Sequence, residues 1–159
     1  VLANGTLNFT IKGIHIGMKV IWNYTPPTNG GDTFTSIKKG SKATLKIVQN
    51  KENGFIKELY IQKAQNTENA TFKTQLEKTI KELQDTYPFL SIKERNNGLY
   101  LIDIPQVCRS GHEAHFSKVA KTFLHYLQYK DMPEWENENT ISKYYITTTA
   151  VEMAKSRDK

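Results

Sequence analysis

Two histidines, His112 and His115, stand three positions apart in the run Gly111-His112-Glu113-Ala114-His115-Phe116. On a helix that spacing puts both rings on one face, with Glu113 beside them. Imidazole titrates near neutral pH, so such a pair can handle a proton, contact a substrate or ligate a metal. A third metal ligand of suitable type is not evident nearby. The structural alternative is that one ring packs at the helix start while the other meets solvent.

A second group of candidates surrounds a loop. Asp32 and Thr33 follow Gly30-Gly31, and a carboxylate at a strand entrance accepts hydrogen bonds from sugar hydroxyls or from local amides. A local Asx turn is the preferred reading. Trp22 and Tyr24 are two apart and share a face if a strand runs through them. Their rings would then stack on a sugar, or fill a core or interface. Cys108 is the single cysteine, so no intrachain disulfide forms. It fits no metal-ligand spacing and reads as a buried, inert thiol.

Other chemistries lack their signatures. The sequence holds no G-x-G-x-x-G, no Walker A loop, no H-E-x-x-H and no nucleophile elbow. Gly30-Gly31 lies between strands with no helix behind it, so it makes no dinucleotide cradle. Net charge is +6 with pI near 9.3, yet the lysines are spread in ones and twos among apolar residues, as on solvated faces. Without a basic run, zinc-finger spacing or RRM-type aromatics, nucleic acid is not an expected partner.

The elements that must position these residues can be read from periodicity. At 159 residues, 38% hydrophobic and 24% charged, the chain reads as one soluble globular domain spanning 1–159. No apolar run approaches the ~18 residues of a membrane span. Alternation predicts strands at Thr6–Lys12, Ile14–Tyr24 and Asp32–Ile37, one through Ala43, Leu45 and Ile47, and one at Phe55–Gln62. The run Thr25–Gly31, with two prolines and two glycines, is a loop. Phe72, Leu76, Ile80, Leu83 and Tyr87 form a helical stripe that Pro88 ends. A hairpin, Leu90–Arg95 and Leu99–Ile104, turns at Asn96-Asn97-Gly98. A second helix from Gly111 carries Phe116, Val119, Phe123, Leu124 and Leu127. Trp135 falls in a loop at the edge of the core, and a last helix, Glu138–Ala154, buries Ile141, Tyr144, Tyr145, Thr148 and Val151.

Strands joined by short turns and followed by helices predict an α+β fold. A predominantly antiparallel, open-faced sheet carries about three helices on one face. The free face is a candidate interface. The sequence opens at Val1 without Met or a signal-like segment, which reads as a piece of a longer chain. It leaves the compartment, cytoplasmic or periplasmic, undetermined. Sequons begin at Asn4, Asn8, Asn23 and Asn69 and matter only in a glycosylating source.

Taken together, several segments resemble one family. Trp22-Asn23-Tyr24 through Pro26, Gly31-Asp32-Thr33, Lys39–Leu45, Gly111–Phe116 and Lys143-Tyr144-Tyr145-x-Thr147-Thr148 are similar to the C-terminal domain of Bacteroidetes-type oxidoreductases. These belong to the Gfo/Idh/MocA family, glucose–fructose oxidoreductase, inositol dehydrogenase and relatives. The resemblance implies a parent with an N-terminal Rossmann domain that binds NAD or NADP and is absent from this chain. It also implies an open sheet that serves a small sugar or polyol substrate and homo-oligomer contacts. The family's Glu-Lys-Pro motif and Asp-x-x-x-His pair have no counterpart here. The chain is therefore expected to hold no cofactor and no complete catalytic set, with His112, His115 and Asp32 lining a substrate cleft. A non-catalytic glycan-binding, protein-binding or assembly domain, presenting Trp22 and Tyr24, is the alternative.

Overall fold

The computed structural model describes residues 4–157 apart from Asn97. In chain order the elements are β1 (Gly5–Ile11), β2 (Ile14–Val20), β3 (Phe34–Lys39), β4 (Ala43–Gln49), β5 (Glu58–Lys63), α1 (Asn69–Leu83), β6 (Ser91–Glu94), β7 (Leu99–Asp103), α2 (His112–Tyr129) and α3 (Glu134–Arg157). The class is α+β and all strand pairs are antiparallel. The chain divides into two compact units, Pro26–Gly111 forming one and Val1–Thr25 with His112–Lys159 the other.

The unit Pro26–Gly111 is an open five-stranded sheet in the order β3-β4-β5-β7-β6 with α1 against it. Strand register sorts its side chains cleanly. Leu59, Ile61, Tyr100, Ile102 and Ile92 point to one face and meet the α1 stripe of Phe72, Leu76 and Ile80. Tyr100 is only 1% exposed and its ring lies 6.0 Å from that of Phe72. Burial of Leu76, Ile80 and Ile102 stabilises the unit by roughly 1.5–3 kcal/mol each.

Helix α1 starts where Glu68 accepts the backbone N–H groups of Ala70 and Thr71, at 2.7 and 2.6 Å. Two of the orphan donors of the first turn are thereby satisfied. The Thr71 side chain first, and then those two amides, hold the Glu68 carboxyl down at about 2. The helix ends at Leu83, before Pro88 is reached, so Tyr87 lies outside the stripe assigned to it and is exposed. Expected strand starts also move inward. β3 begins at Phe34, not Asp32. β5 begins at Glu58, not Phe55, because a 3-10 turn (Lys51–Asn53) capped by Asn50 and closed by left-handed Gly54 takes up the chain first. In the β6–β7 turn, Arg95 N–H donates to Leu99 O and Gly98 has φ +71°. Asn97, expected in that turn, lies outside the described residues.

In the other unit, β1 and β2 form a hairpin with Lys12 and Gly13 both at positive φ (49° and 78°), the type I′ requirement. The ladder closes at Gly5↔Val20. Beyond it β1 offers no ladder partner, and Trp22 N–H donates instead to the Asn4 side chain at 2.6 Å. Strand β2 therefore stops short of Trp22 and Tyr24. Helix α3 begins at Glu134 rather than Glu138. Pro133 precedes it, and Glu134 and Glu136 suit the positive end of the helix dipole. Trp135 is thus helical, and it is 55% exposed instead of closing a core.

The stripes of α2 and α3 are not core either. Phe116, Val119, Phe123, Leu124 and Leu127 on α2 are exposed, and so are Ile141, Tyr144, Tyr145, Thr148 and Val151 on α3. Periodicity marks a face that favours a partner, and within the described residues that face has none. Cys108, expected buried, is exposed in a short 3-10 turn.

Candidate functional site

The face of the five-stranded sheet turned away from α1 carries the polar chemistry of the unit Pro26–Gly111. Direct partners across the strands place Ile37, Lys46, Tyr60, Leu101 and Lys93 in one row. Glu58 and Gln62 flank Tyr60 on the same face of β5. Leu101, between Tyr60 and Lys93, is buried, while Ile37 and Lys46 are exposed.

Tyr60 Oη donates to Glu58 Oε2 at 2.6 Å. That hydrogen bond, with partial burial, pushes the phenol above its ordinary 10.0. It therefore stays protonated at neutral pH and keeps its oxygen lone pairs as acceptors. Lys93 pairs with Asp103 at 2.7 Å, whereas Lys46 makes no ion pair among the described residues. The face thus offers an ammonium donor, carboxylate and phenol acceptors and an amide, set among apolar residues. Hydroxyl-bearing carbon chains need such a mixture. It is one side of an open sheet, so a small molecule would be enclosed only when a second surface closes over it.

The residues singled out from sequence are divided between the units. His112, Glu113 and His115 occupy the first turn of α2, where Glu113 favours the helix dipole. The His112 ring lies 4.8 Å from that of Phe116, the helical neighbour four positions on, so one histidine of the pair packs locally. Both rings are exposed. Among the described residues no group of three His, Cys, Asp or Glu side chains is placed to hold a metal ion. Trp22, 74% exposed, and Tyr24 lie past the end of β2, so the shared strand face expected for them does not exist. Asp32 and Thr33 lie in the other unit, just ahead of β3. The Asp32 main-chain oxygen accepts from Gln49 Nε2 at 2.9 Å, and its carboxylate closes no Asx turn.

With that geometry established, residues 1–155 match the family model described as "Putative oxidoreductase C terminal domain". The chain belongs to this family. A solved structure of similar fold, described as a putative oxidoreductase from Parabacteroides merdae ATCC 43184, shares 40% identity with this oxidoreductase C-terminal domain. The TM-score is 0.93 over 97% of the chain, which spans 35% of the length of that protein. None of the curated proteins matches it. No described helix is long and apolar enough to cross a membrane.

What sequence reasoning missed in this oxidoreductase C-terminal domain is the row Lys46, Tyr60, Lys93. Each lies on a different strand, and alternation within a strand shows only which residues share its face. The Glu58-x-Tyr60 spacing was a usable local signal, since residues two apart on a strand share a face.

Proposed function

We propose that the domain forms the substrate-side wall of an NAD(P)-dependent sugar or polyol oxidoreductase of the Gfo/Idh/MocA type, and pairs subunits through its open sheet. In this reading a companion N-terminal Rossmann domain would hold NAD or NADP, which would supply the hydride chemistry. The present chain binds and orients the polyol and excludes water. The observation that carries the reading is the mixed row on the open face, Lys46 and Tyr60 with Glu58 and Gln62. Its donors and acceptors match a run of hydroxyls, and Ile37 and Leu101 match the carbons between them. The exposed stripes of α2 and α3 also support it, since Phe123, Leu124 and their neighbours favour burial by further protein.

Asp32, with Thr33 beside it, is proposed to contact substrate from the unit Pro26–Gly111, and His112 and His115, with Glu113 between them, from the other unit. Neither the histidines nor Asp32 is assigned a chemical step. The test is steady-state turnover of the two-domain enzyme on a panel of sugars and polyols with NAD+ and NADP+. Lys46→Ala and Tyr60→Phe are expected to raise KM about tenfold each, with kcat changed less, as for lost hydrogen bonds of about 1.4 kcal/mol. Unchanged KM in both variants contradicts the reading. Unchanged turnover in His112→Ala with His115→Ala makes those residues structural.

A second reading, a non-catalytic glycan- or protein-binding domain, is favoured by one feature: the exposure of Trp22 and Tyr24 beyond β2. It predicts glycan binding that is lost in Trp22→Ala and insensitive to Tyr60→Phe.

A further inference from the structure

The open face of the five-stranded sheet is polarised along its strands. Glu58 on β5 and Asp103 on β7 stand at one end. Each is already engaged, Glu58 by the Tyr60 phenol at 2.6 Å and Asp103 by Lys93 at 2.7 Å. Gln62, four positions along β5 and roughly 13 Å away at the rise of a strand, marks the other end. Its row runs through Thr44 on β4 to Lys39 on β3. In the opposite direction it crosses Leu99 on β7 to Arg95, whose N–H donates to Leu99 O. Lys46, opposite Tyr60, stands one row nearer the carboxylates. No carboxylate occurs in the runs Lys38–Lys46 or Arg95–Leu99.

Lys39, Lys46 and Arg95 are exposed and make no ion pair among the described residues. The Glu58 hydrogen bond and burial raise the Tyr60 phenol, and the Arg95 charge pulls it the other way, so Arg95 acts on the middle of the face. A run of neutral hydroxyls accounts for Tyr60, Glu58 and Gln62 but not for these cations. Once a second surface closes over the face and excludes water, a charge without a counter-charge becomes costly. A bound anion removes that cost. Ammonium and guanidinium donors also hydrogen-bond carboxylate and phosphate roughly twice as strongly as neutral groups bond each other.

We propose that the molecule held on this face is an anionic sugar or polyol. Its terminal carboxylate or phosphate lies at the end marked by Lys39, Lys46 and Arg95, and its hydroxyls run over Tyr60 toward Glu58. Glu58 fixes that direction, because its charge repels an anion placed the other way round. The inference rests on the substrate-wall reading and narrows it from hydroxyl compounds at large to acidic ones.

Three probes with the same six-carbon chain test it: sorbitol, gluconate and sorbitol 6-phosphate, each titrated into the isotopically labelled chain and followed by amide shifts. At low salt at least one anionic probe binds tenfold or more tightly than sorbitol, with shifts centred on Lys46, Gln62 and Leu99. That advantage shrinks as salt rises. Lys46→Gln and Arg95→Gln each keep a hydrogen-bond donor and remove the charge. Each therefore cuts the advantage at least threefold while sorbitol binding holds. Gluconate ahead identifies a sugar acid, and sorbitol 6-phosphate ahead a sugar phosphate; either upholds the proposal. Sorbitol that binds the open face as tightly as both anions overturns the proposal and leaves the substrate wall standing. Open-face amides that no probe shifts overturn both. Acetate and inorganic phosphate that match the two anionic probes also overturn it, since no carbon chain is then being held. So does an advantage that survives both substitutions.

Discussion

Tyr60 and Glu58 share one face of β5, and the phenol donates to the carboxylate across 2.6 Å on the side of the sheet away from α1. The pair is a fixed polar feature in an otherwise mixed row, and it gives the open face its direction of hydrogen bonding. The phenol hydrogen is held, while the phenol oxygen and the second carboxylate oxygen are left to accept.

The same bond sets an alkaline stability signature. Tyr60 is raised above its ordinary value of 10.0 first by the Glu58 hydrogen bond and then by burial, and Tyr100 is raised by burial. A group whose folded value lies above its unfolded one contributes stability that is complete below about pH 10. That contribution fades as pH climbs toward the folded value. The urea midpoint should therefore fall above pH 10, and less steeply in Tyr60→Phe. An identical alkaline profile in wild type and variant would count against the bond.

Glu68 predicts the mirror image in acid. Its carboxyl lies at about 2 because it accepts first from the Thr71 side chain and then from the Thr71 and Ala70 amides. A depressed value means a contribution that is whole above the ordinary value of 4.5 and disappears as pH falls from there toward 2. Thermal melts between pH 7 and 2 should show Glu68→Ala below wild type at neutral pH, with the two curves converging by pH 2. A gap that persists at pH 2 would contradict the cap.

Burial separates two sets of apolar residues that look alike in sequence. Leu76→Ala and Ile102→Ala open cavities in the core beneath α1 and should each cost about 2–5 kcal/mol by urea denaturation. Phe123→Ser and Leu124→Ser lie on exposed α2 and should change the stability of the isolated chain by no more than about 0.5 kcal/mol. Equal losses in the two sets would show that α2 is packed within the single chain.

Gly98 is fixed by conformation and by space. Its φ is +71°, and an added Cβ would meet Lys63 side-chain carbons at 3.1 Å. Gly98→Ala should cost about 1–2 kcal/mol, the strain of a left-handed residue carrying a Cβ. A melting temperature equal to wild type would contradict it.

Much of the fold was legible because its signals are local. The α1 stripe at Phe72, Leu76 and Ile80 and the turn glycine Gly98 belong to short segments, and both stand as read. Trp22 and Tyr24 misled because alternation continues past Val20, whereas a strand ends where its ladder does, and the described β1–β2 ladder closes at Gly5↔Val20. Trp135 misled because Pro133 looked like a loop marker when it was a helix starter. The exposed stripes of α2 and α3 carry the same periodicity as a core stripe, since periodicity records that a face is apolar and not which molecule covers it. The open-face row could not be seen in advance. Lys46, Tyr60 and Lys93 come into one row only through register.

The substrate-wall assignment is tested most directly by an amide chemical-shift map of the isotopically labelled chain during titration with sugars and polyols, each with and without NADH. Shifts are expected to concentrate at Lys46, Glu58, Tyr60, Gln62 and Lys93, weak in affinity, reduced in Tyr60→Phe and indifferent to NADH. Shifts clustered at Trp22 and Tyr24, or tight NADH binding by this chain alone, would contradict it.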